Sequence, residues 1–403
     1  MQAKHVLLLG LVTALAVLGA FWALSNDDRD SAAAERGVFL PALAERLNDV
    51  TAVTLTKGDD SVTVQRLEGG WGVVERGGYP AKFESVKALL FGLSQLEVDA
   101  PRTKKPEHYA KLGVEDEGAG AASTRVVARA GDATLADVLI GTTTPAGREQ
   151  TFNVRRRDEA QAWLVRGPRV DLATAPKAWM QTKVLEIDGK RVRSAKIEHP
   201  DGEVVRLERA ARDSNTFRLQ NLPPGRMEKH EGVGNAVATA LSFFNLEDVR
   251  PASQVDFTAE PRAKTTIRTY DGLTVTIETA YVDAPEGGAR QTWARLSAGF
   301  EEPPAAPDDA DADADAVSTA EEVRALDERL QSWAFQIAEF KADALARRMD
   351  ELLAEPEPEM EPEMDAEPAP GAEFPPEIVT PSGDALNDAT APDVPDPPPS
   401  DGR

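Results

Sequence analysis

The sequence predicts an α+β fold made of two tandem repeats, each a β-hairpin followed by a helix and an antiparallel β-meander. Three observations support this prediction. Strand-like alternation on both sides of a turn occurs at residues 53–64 and again at residues 197–207. A helical pattern follows each hairpin, and a β-rich stretch follows each helix. Runs of strands with a single helix are typical of α+β folds with antiparallel sheets rather than of doubly wound folds.

The first predicted element is a membrane anchor at residues 6–24, a stretch of nineteen residues without a charge. As a helix it would be about 28 Å long, close to the ~30 Å hydrocarbon core of a bilayer. Lys4 precedes it and aspartates follow it, so the positive-inside rule places residues 1–5 in the cytoplasm. We therefore predict a single-pass inner-membrane protein whose bulk is periplasmic. A cleaved signal peptide is the alternative, although the apolar region is long for one.

The first repeat is predicted at residues 38–185. Its hairpin turns at "KGDD", and its helix is indicated by apolar residues at intervals of three and four, namely Phe83, Val86, Leu90 and Leu93. Two strand–turn–strand stretches follow. The paired glycines at 69–70 and 77–78 lack the Gly-Lys-Ser/Thr ending of a phosphate-binding loop, so we interpret them as turn residues.

The second repeat is predicted at residues 186–300. Its hairpin turns at "HPDG", and its meander turns at Asp271-Gly272. The helix of this repeat is predicted from Val237, Leu241 and Phe244. An acidic disordered insert at residues 301–317 and a C-terminal helix at residues 318–353 would complete the domain.

Most of the net charge of −24 lies outside the predicted repeats. Residues 301–316 carry −7, and the Pro-rich tail at residues 354–403, predicted to be disordered, carries −13. The remainder is close to neutral and shows no basic stripe, so no nucleic-acid partner is expected.

Residue types that carry chemistry are sparse. There is no cysteine, which excludes disulfides, thiolate metal sites and cysteine nucleophiles. The four histidines lack metal-ligand spacing, and Asp201 and Asp271 lie in Asp-Gly turns. The run at residues 155–157, three arginines, is interpreted as an exposed hairpin end rather than an anion site. We predict no catalytic, cofactor-binding or metal-binding residue, no cofactor and no small-molecule ligand.

One apolar stripe is a candidate docking face. Trp333, Phe335, Ile337 and Phe340 lie on the last predicted helical run. The simplest interpretation is a helix that caps the second sheet, and the alternative is a helix face that docks a partner.

The order of several stretches resembles the domain of unknown function family DUF4340. These stretches are "GGWGV", "YPA", "YAKLGVED", "LIGTTTPAG", "TFNVRRRDEAQAWLV", "VRSAKIEHPDGEVVRLER" and "WAFQIAEFKADALARRMDELL". The resemblance implies a bacterial, exported, membrane-anchored protein associated with gliding-type ABC transporters, and it implies no catalytic residue. The expected function is therefore a non-enzymatic accessory or scaffold protein of an ABC-type transport or envelope complex. A glycan- or lipid-binding module that uses the cleft between repeats is the alternative, and a hydrolase is the least favoured.

Overall fold

The computed structural model describes residues 37–284, 288–302 and 312–355, with the backbone alone for residues 312–318. Within these ranges antiparallel strands dominate, arranged in two large sheets and one small one. The small sheet pairs β10 (Lys183–Leu185) with β14 (Phe244–Asn245).

The first large sheet, sheet 1, has the strand order β4-β3-β2-β1-β6-β7-β8-β9-β5. Its strands are β1 (Ala52–Lys57), β2 (Asp60–Leu67), β3 (Gly70–Val73), β4 (Tyr79–Pro80), β5 (Glu97–Pro101), β6 (Thr124–Ala130), β7 (Ala133–Ala146), β8 (Glu149–Arg156) and β9 (Ala162–Gly167). In the first hairpin Val53 pairs with Val64 and Leu55 with Val62. Alternate residues face one side of a strand, so these four side chains enter the core together.

The second large sheet, sheet 2, has the strand order β13-β12-β11-β16-β17-β18-β19-β15. Its strands are β11 (Val192–Glu198), β12 (Val204–Arg209), β13 (Phe217–Leu219), β15 (Asp248–Pro251), β16 (Pro261–Thr269), β17 (Leu273–Val282), β18 (Gln291–Phe300) and β19 (Trp333–Gln336). In both large sheets the edge strand at one end, β5 or β15, precedes the neighbouring meander in the chain and pairs with its last strand.

Helices are short, apart from two. They are α1 (Pro41–Glu45), α2 (Phe83–Ser94), α3 (Tyr109–Leu112), α4 (Pro176–Trp179), α5 (Asn235–Ala238), α6 (Ala312–Leu330), α7 (Glu339–Leu345) and α8 (Met349–Leu352). Helix α2 buries Val86, Leu90 and Leu93, which recur at intervals of three and four.

One apolar core runs through both large sheets, and it includes Leu55 of sheet 1 and Leu296 of sheet 2. A smaller group, the outer cluster, lies on the other face of sheet 2. Its buried members are Val255, Phe257, Ala280, Trp293 and Ala334. Strand β19 shows the two faces, because Phe335 enters the main core while its neighbour Ala334 enters the outer cluster.

The predicted fold class is wrong, because the described chain is mainly antiparallel sheet and does not show the helix-containing repeat. The helix expected in the second half is reduced to the single turn α5, and Phe244 begins strand β14 instead. Glycines at 232 and 234 precede this turn, and glycine is a poor helix former.

The predicted C-terminal helix is also wrong. Helix α6 ends at Leu330, and Trp333–Gln336 forms strand β19 between β18 and β15. This position in sheet 2 gives three of the four residues strand partners on both sides, and it buries Phe335. These tertiary interactions outweigh the local helical spacing.

The predicted single-pass inner-membrane protein is not supported either. In the three described ranges, no helix has both the length and the apolar character needed to cross a bilayer. The predicted anchor itself, residues 6–24, lies outside the described residues, as does most of the acidic insert and nearly all of the tail.

Candidate functional site

The two large sheets meet at a polar cleft of about 660 Å³. Its walls come from the 3₁₀ turn Val74–Arg76 after β3, from the edge strand β15 and from the segment that follows β15. We call it the junction cleft, and it is lined by Val74, Glu75, Arg76, Gly77, Asp248, Val249, Arg250, Pro251, Gln254 and Gln291. Charged and amide side chains make up most of this lining, so the cleft is suited to polar groups.

Gly77 sets the width of the cleft. Gly77 and Gly78 have φ values of 66° and 83°, a left-handed conformation that glycine adopts at little cost. A Cβ atom on Gly77 would lie 2.8 Å from Cγ of Pro251 on β15. The absence of a side chain therefore lets the turn of sheet 1 approach the edge of sheet 2.

An ion pair closes one side of the cleft. Nε of Arg76 donates to Oδ1 of Asp248 at 2.5 Å, and Nη1 of Arg76 donates to the carbonyl of Glu75 at 3.1 Å. The two paired side chains are 29% and 25% exposed. Glu75 accepts a hydrogen bond from the backbone N–H of Thr63 at 2.8 Å, which holds its carboxylate against β2. Three of the four charged side chains in the cleft, Glu75, Arg76 and Asp248, therefore have hydrogen-bond or ion-pair partners within the protein.

The fourth charge belongs to Arg250, whose guanidinium lies over the ring of Trp293 at 4.5 Å from the ring centroid. Strands β15, β19 and β18 are adjacent, so Arg250 and Asp248 share one face of sheet 2 with Trp293. The Trp293 ring is fully buried, and its Nε1 donates to Oε1 of Gln291 at 3.4 Å. The buried indole of Trp293 therefore provides a rigid surface on which the guanidinium of Arg250 stacks.

Tyr79 is a structural residue next to the cleft. Burial raises the pKa of Tyr79 to about 12, and the charge of Arg329 offsets only part of this effect. The phenol donates to the carbonyl of Gln181 at 3.1 Å, and its ring meets Trp333 edge-on at 5.1 Å. At neutral pH the group is therefore a neutral hydrogen-bond donor within the core.

The residues lining the cleft are mainly carboxylates, arginines and glutamines. They include no histidine, lysine, serine or threonine. Within the described residues there is also no group of three or more histidine, aspartate or glutamate side chains placed to hold a metal ion. What the lining offers is hydrogen-bond donors and acceptors, which suits recognition.

The four predicted docking residues do not share one face. Phe335 and Ile337 are buried in the main core, and Trp333 is half-buried against Tyr79. Phe340 alone of the four is exposed, at 73%. The helical spacing of these residues is therefore misleading. Trp333 and Phe335 lie on β19, Ile337 follows that strand, and Phe340 lies on α7.

Helix α7, which carries Phe340, is bonded to the segment that carries the exposed Phe243. Lys341 donates from Nζ to the carbonyls of Ala240 at 2.7 Å and Phe243 at 2.8 Å, which joins α7 to the turns after α5. Burial lowers the pKa of Lys341. Phe243 is itself mostly exposed.

The prediction of an exposed arginine run at residues 155–157 is wrong for its first member. Arg155 is 4% exposed, donates to the carbonyls of Val114 and Glu159 at 3.1 Å, and pairs with Asp116. Its guanidinium also lies over the ring of Tyr109. Arg155 therefore anchors the loop before β6 to sheet 1.

Sequence reasoning missed the cleft residues, although one signal was present. The stretches "LSQLEVDAP" and "FFNLEDVRP" are similar, and they lead into the corresponding edge strands β5 and β15. The second stretch contains Asp248 and Arg250. Both residues follow the predicted second helix, and the residues that they contact lie far away in the chain.

The fold and the cleft define a class: antiparallel β proteins in which two large sheets share a core and enclose a polar cleft at their junction. Residues 71–264 match the model of a family described as Domain of unknown function (DUF4340). The match supports the resemblance to this family over those residues, which include every cleft residue except Gln291. No curated protein and no solved structure matched the chain.

Proposed function

We propose that this chain is a non-enzymatic accessory protein that binds a protein partner in the junction cleft, within an ABC-type transport complex. The observation that carries the proposal is the cleft itself, an open polar recess at the meeting of the two sheets. The link to a transport complex comes from the resemblance to DUF4340 proteins and is the part of the proposal that needs a direct test.

The lining favours a peptide over a glycan or a lipid. Glycan sites use exposed aromatic rings as stacking surfaces, and no lining residue is aromatic. Trp293 is buried beneath Arg250, and Trp333 is half-buried against Tyr79. A lipid tail would need an apolar recess, whereas guanidinium, carboxylate and amide groups suit the polar groups of a polypeptide.

The edges of sheet 2, strands β13 and β15, do not favour binding by strand addition. On β13 the N–H groups of Phe217 and Leu219 donate to the side chains of Asn235 and Glu228, at 3.0 and 2.7 Å. On β15 the N–H of Val249 donates to Asp248 at 2.8 Å. Groups that a partner strand would need are already used, so side-chain contacts in the cleft are the better route.

Because the chain contains no cysteine, a single introduced cysteine can be labelled specifically with a crosslinker. Gln254→Cys at the rim of the cleft and Asp132→Cys in the exposed β6–β7 turn would each carry one photo-crosslinker. The two labelled proteins would be added to native cell extracts in mild detergent, and the adducts identified by mass spectrometry. We expect transporter subunits to be captured from position 254 and not from position 132. Capture of none, or equal capture from both positions, would refute the proposal.

A further inference from the structure

Arg250 differs in one respect from three other ring-stacked arginines in and beside strands β16–β18. Arg295 lies over Phe257, and both Arg262 and Arg290 lie over Tyr281. Each of these three also pairs with a carboxylate: Arg295 with Glu278, Arg262 with Glu339 and Asp343, and Arg290 with Glu260. Arg250, over Trp293, has no carboxylate partner and no side-chain hydrogen bond among the residues that the structure describes.

The two acidic residues of the cleft are held by other groups. Asp248 pairs with Arg76, and it also accepts the N–H of Val249. Glu75 is held against β2 by the N–H of Thr63. Within the described part of the chain the donors of Arg250 therefore have no acceptor. A half-buried guanidinium without such a partner favours an anionic ligand.

Two amide side chains complete the arrangement. Gln291 uses its Oε1 to accept from Trp293, which leaves its NH₂ group free to donate. Gln254 lines the same cleft on the segment after β15. A planar guanidinium flanked by amide donors matches the two oxygens of a carboxylate. A phosphate would bring a second negative charge close to Glu75 and Asp248, so it fits this site less well.

We propose that Arg250, Gln254 and Gln291 form a binding site for a peptide carboxylate, either an acidic side chain or a C-terminal carboxylate. This assignment rests on the proposed binding of a protein partner in the junction cleft and names the group that is recognised there. Trp293 is the platform that holds the guanidinium, and the pairing of Arg76 with Asp248 keeps the neighbouring carboxylate away from it.

Three acetylated alanine peptides test the proposal and separate the two sources of the carboxylate. The first has a free C-terminus, the second has a glutamate in the middle and an amidated C-terminus, and the third has glutamine in place of that glutamate. Each is titrated into the full chain while NMR follows the indole N–H of Trp293 and the arginine Nε–H signals. We expect one or both carboxylate peptides to bind at least about tenfold more tightly than the glutamine peptide.

Variants then assign the binding to Arg250. Arg250→Gln should weaken the carboxylate peptides by at least about tenfold, and Arg250→Lys should restore only part of the affinity because it lacks the planar fork. Arg295→Gln is the matched control, since Arg295 is also stacked on an aromatic ring but lies outside the cleft. Thermal unfolding of each variant checks that the fold is retained.

Several results would overturn the assignment. They are equal binding of all three peptides, no binding of any of them, tighter binding of inorganic phosphate, or equal losses in Arg250→Gln and Arg295→Gln. If position 254 crosslinks a partner but the carboxylate peptides do not bind, the carboxylate site fails while the proposed function stands. If the peptides bind through Arg250 but nothing is crosslinked, the proposed binding of a protein partner is refuted instead.

Discussion

Arg76 and Asp248 join the two large sheets, with 2.5 Å between Nε and Oδ1, although they are 172 positions apart in the chain. Arg76 lies on the turn after β3 and Asp248 begins the edge strand β15. Both side chains are about three-quarters covered. An ion pair in this setting has less solvent screening than a surface pair, and its loss leaves a partly buried charge without a partner.

The first prediction concerns this pair. Arg76→Gln or Asp248→Asn should each lower the free energy of unfolding by about 1–2 kcal/mol, between the values typical of surface and buried pairs. The double variant should lose less than the sum of the two single changes. Urea unfolding measures all three, and Arg46→Gln in the exposed Arg46–Asp49 pair is the control, expected to lose less than about 1 kcal/mol. Additive losses would show that the pair does not couple the sheets.

The second prediction tests the close approach of Gly77 to Pro251. Gly77→Ala should destabilise the chain by about 2–4 kcal/mol, because a left-handed backbone and a clash with Pro251 act together. Gly131→Ala is the control, since Gly131 has φ 58° and open space around it, so its cost should be about 1 kcal/mol. Pro251→Ala should recover part of the loss at Gly77. Equal losses at the two glycines, measured by urea unfolding, would show that the contact is unimportant.

Local patterns predicted the hairpins of the fold better than its later elements. Val53, Leu55, Val62 and Val64 alternate along two strands joined by a short turn, so their pairing depends on neighbouring residues. The spacing of Trp333, Ile337 and Phe340 resembles a helix just as clearly. Yet Ala334 pairs with both Arg250 and Arg295, which are distant in the chain. Such long-range pairing decides the conformation of β19, and no local pattern contains it.

The cleft could not be predicted because each of its residues has an ordinary local interpretation. Arg76 follows a strand, and Asp248 and Arg250 alternate on a short one. These residues form a site only because the two large sheets meet there. Arg250 has no carboxylate partner among the described residues, and this difference becomes visible only when its contacts are compared with those of the other stacked arginines.

The third prediction concerns acid stability and the turn residue Asp271. Burial opposes its ionisation, but the neighbouring Thr269 hydroxyl and the hydrogen bonds and charge of Arg191 outweigh burial and lower its pKa below the ordinary 3.8. A lowered folded-state pKa means that this group stabilises the fold above the ordinary value. The contribution disappears as the pH falls through the folded-state pKa.

Asp271→Asn should therefore lower the free energy of unfolding by about 1–2 kcal/mol at pH 7, a range reduced for partial solvent screening. The difference from the unaltered chain should shrink progressively below about pH 4. Urea unfolding at pH 7, 5 and 3 measures it. Asp132→Asn, in an exposed turn, is the control and should change the free energy of unfolding by less than about 0.5 kcal/mol at pH 7. A difference at Asp271 that stays constant with pH would contradict the assignment.

The last prediction separates two residues of the same apolar stripe. Phe335 is 1% exposed and lies on β19 within the main core, whereas Phe340 is 73% exposed on α7. Phe335→Ala should lower the free energy of unfolding by about 3–5 kcal/mol, because it removes a large buried side chain and leaves a cavity. Phe340→Ala should change it by less than about 0.5 kcal/mol, as expected for a surface substitution. If the two variants lose similar stability in urea unfolding, then Trp333–Gln336 does not occupy its position within sheet 2, and the wall of the junction cleft formed by β15, which pairs with that strand, would have to be reconsidered.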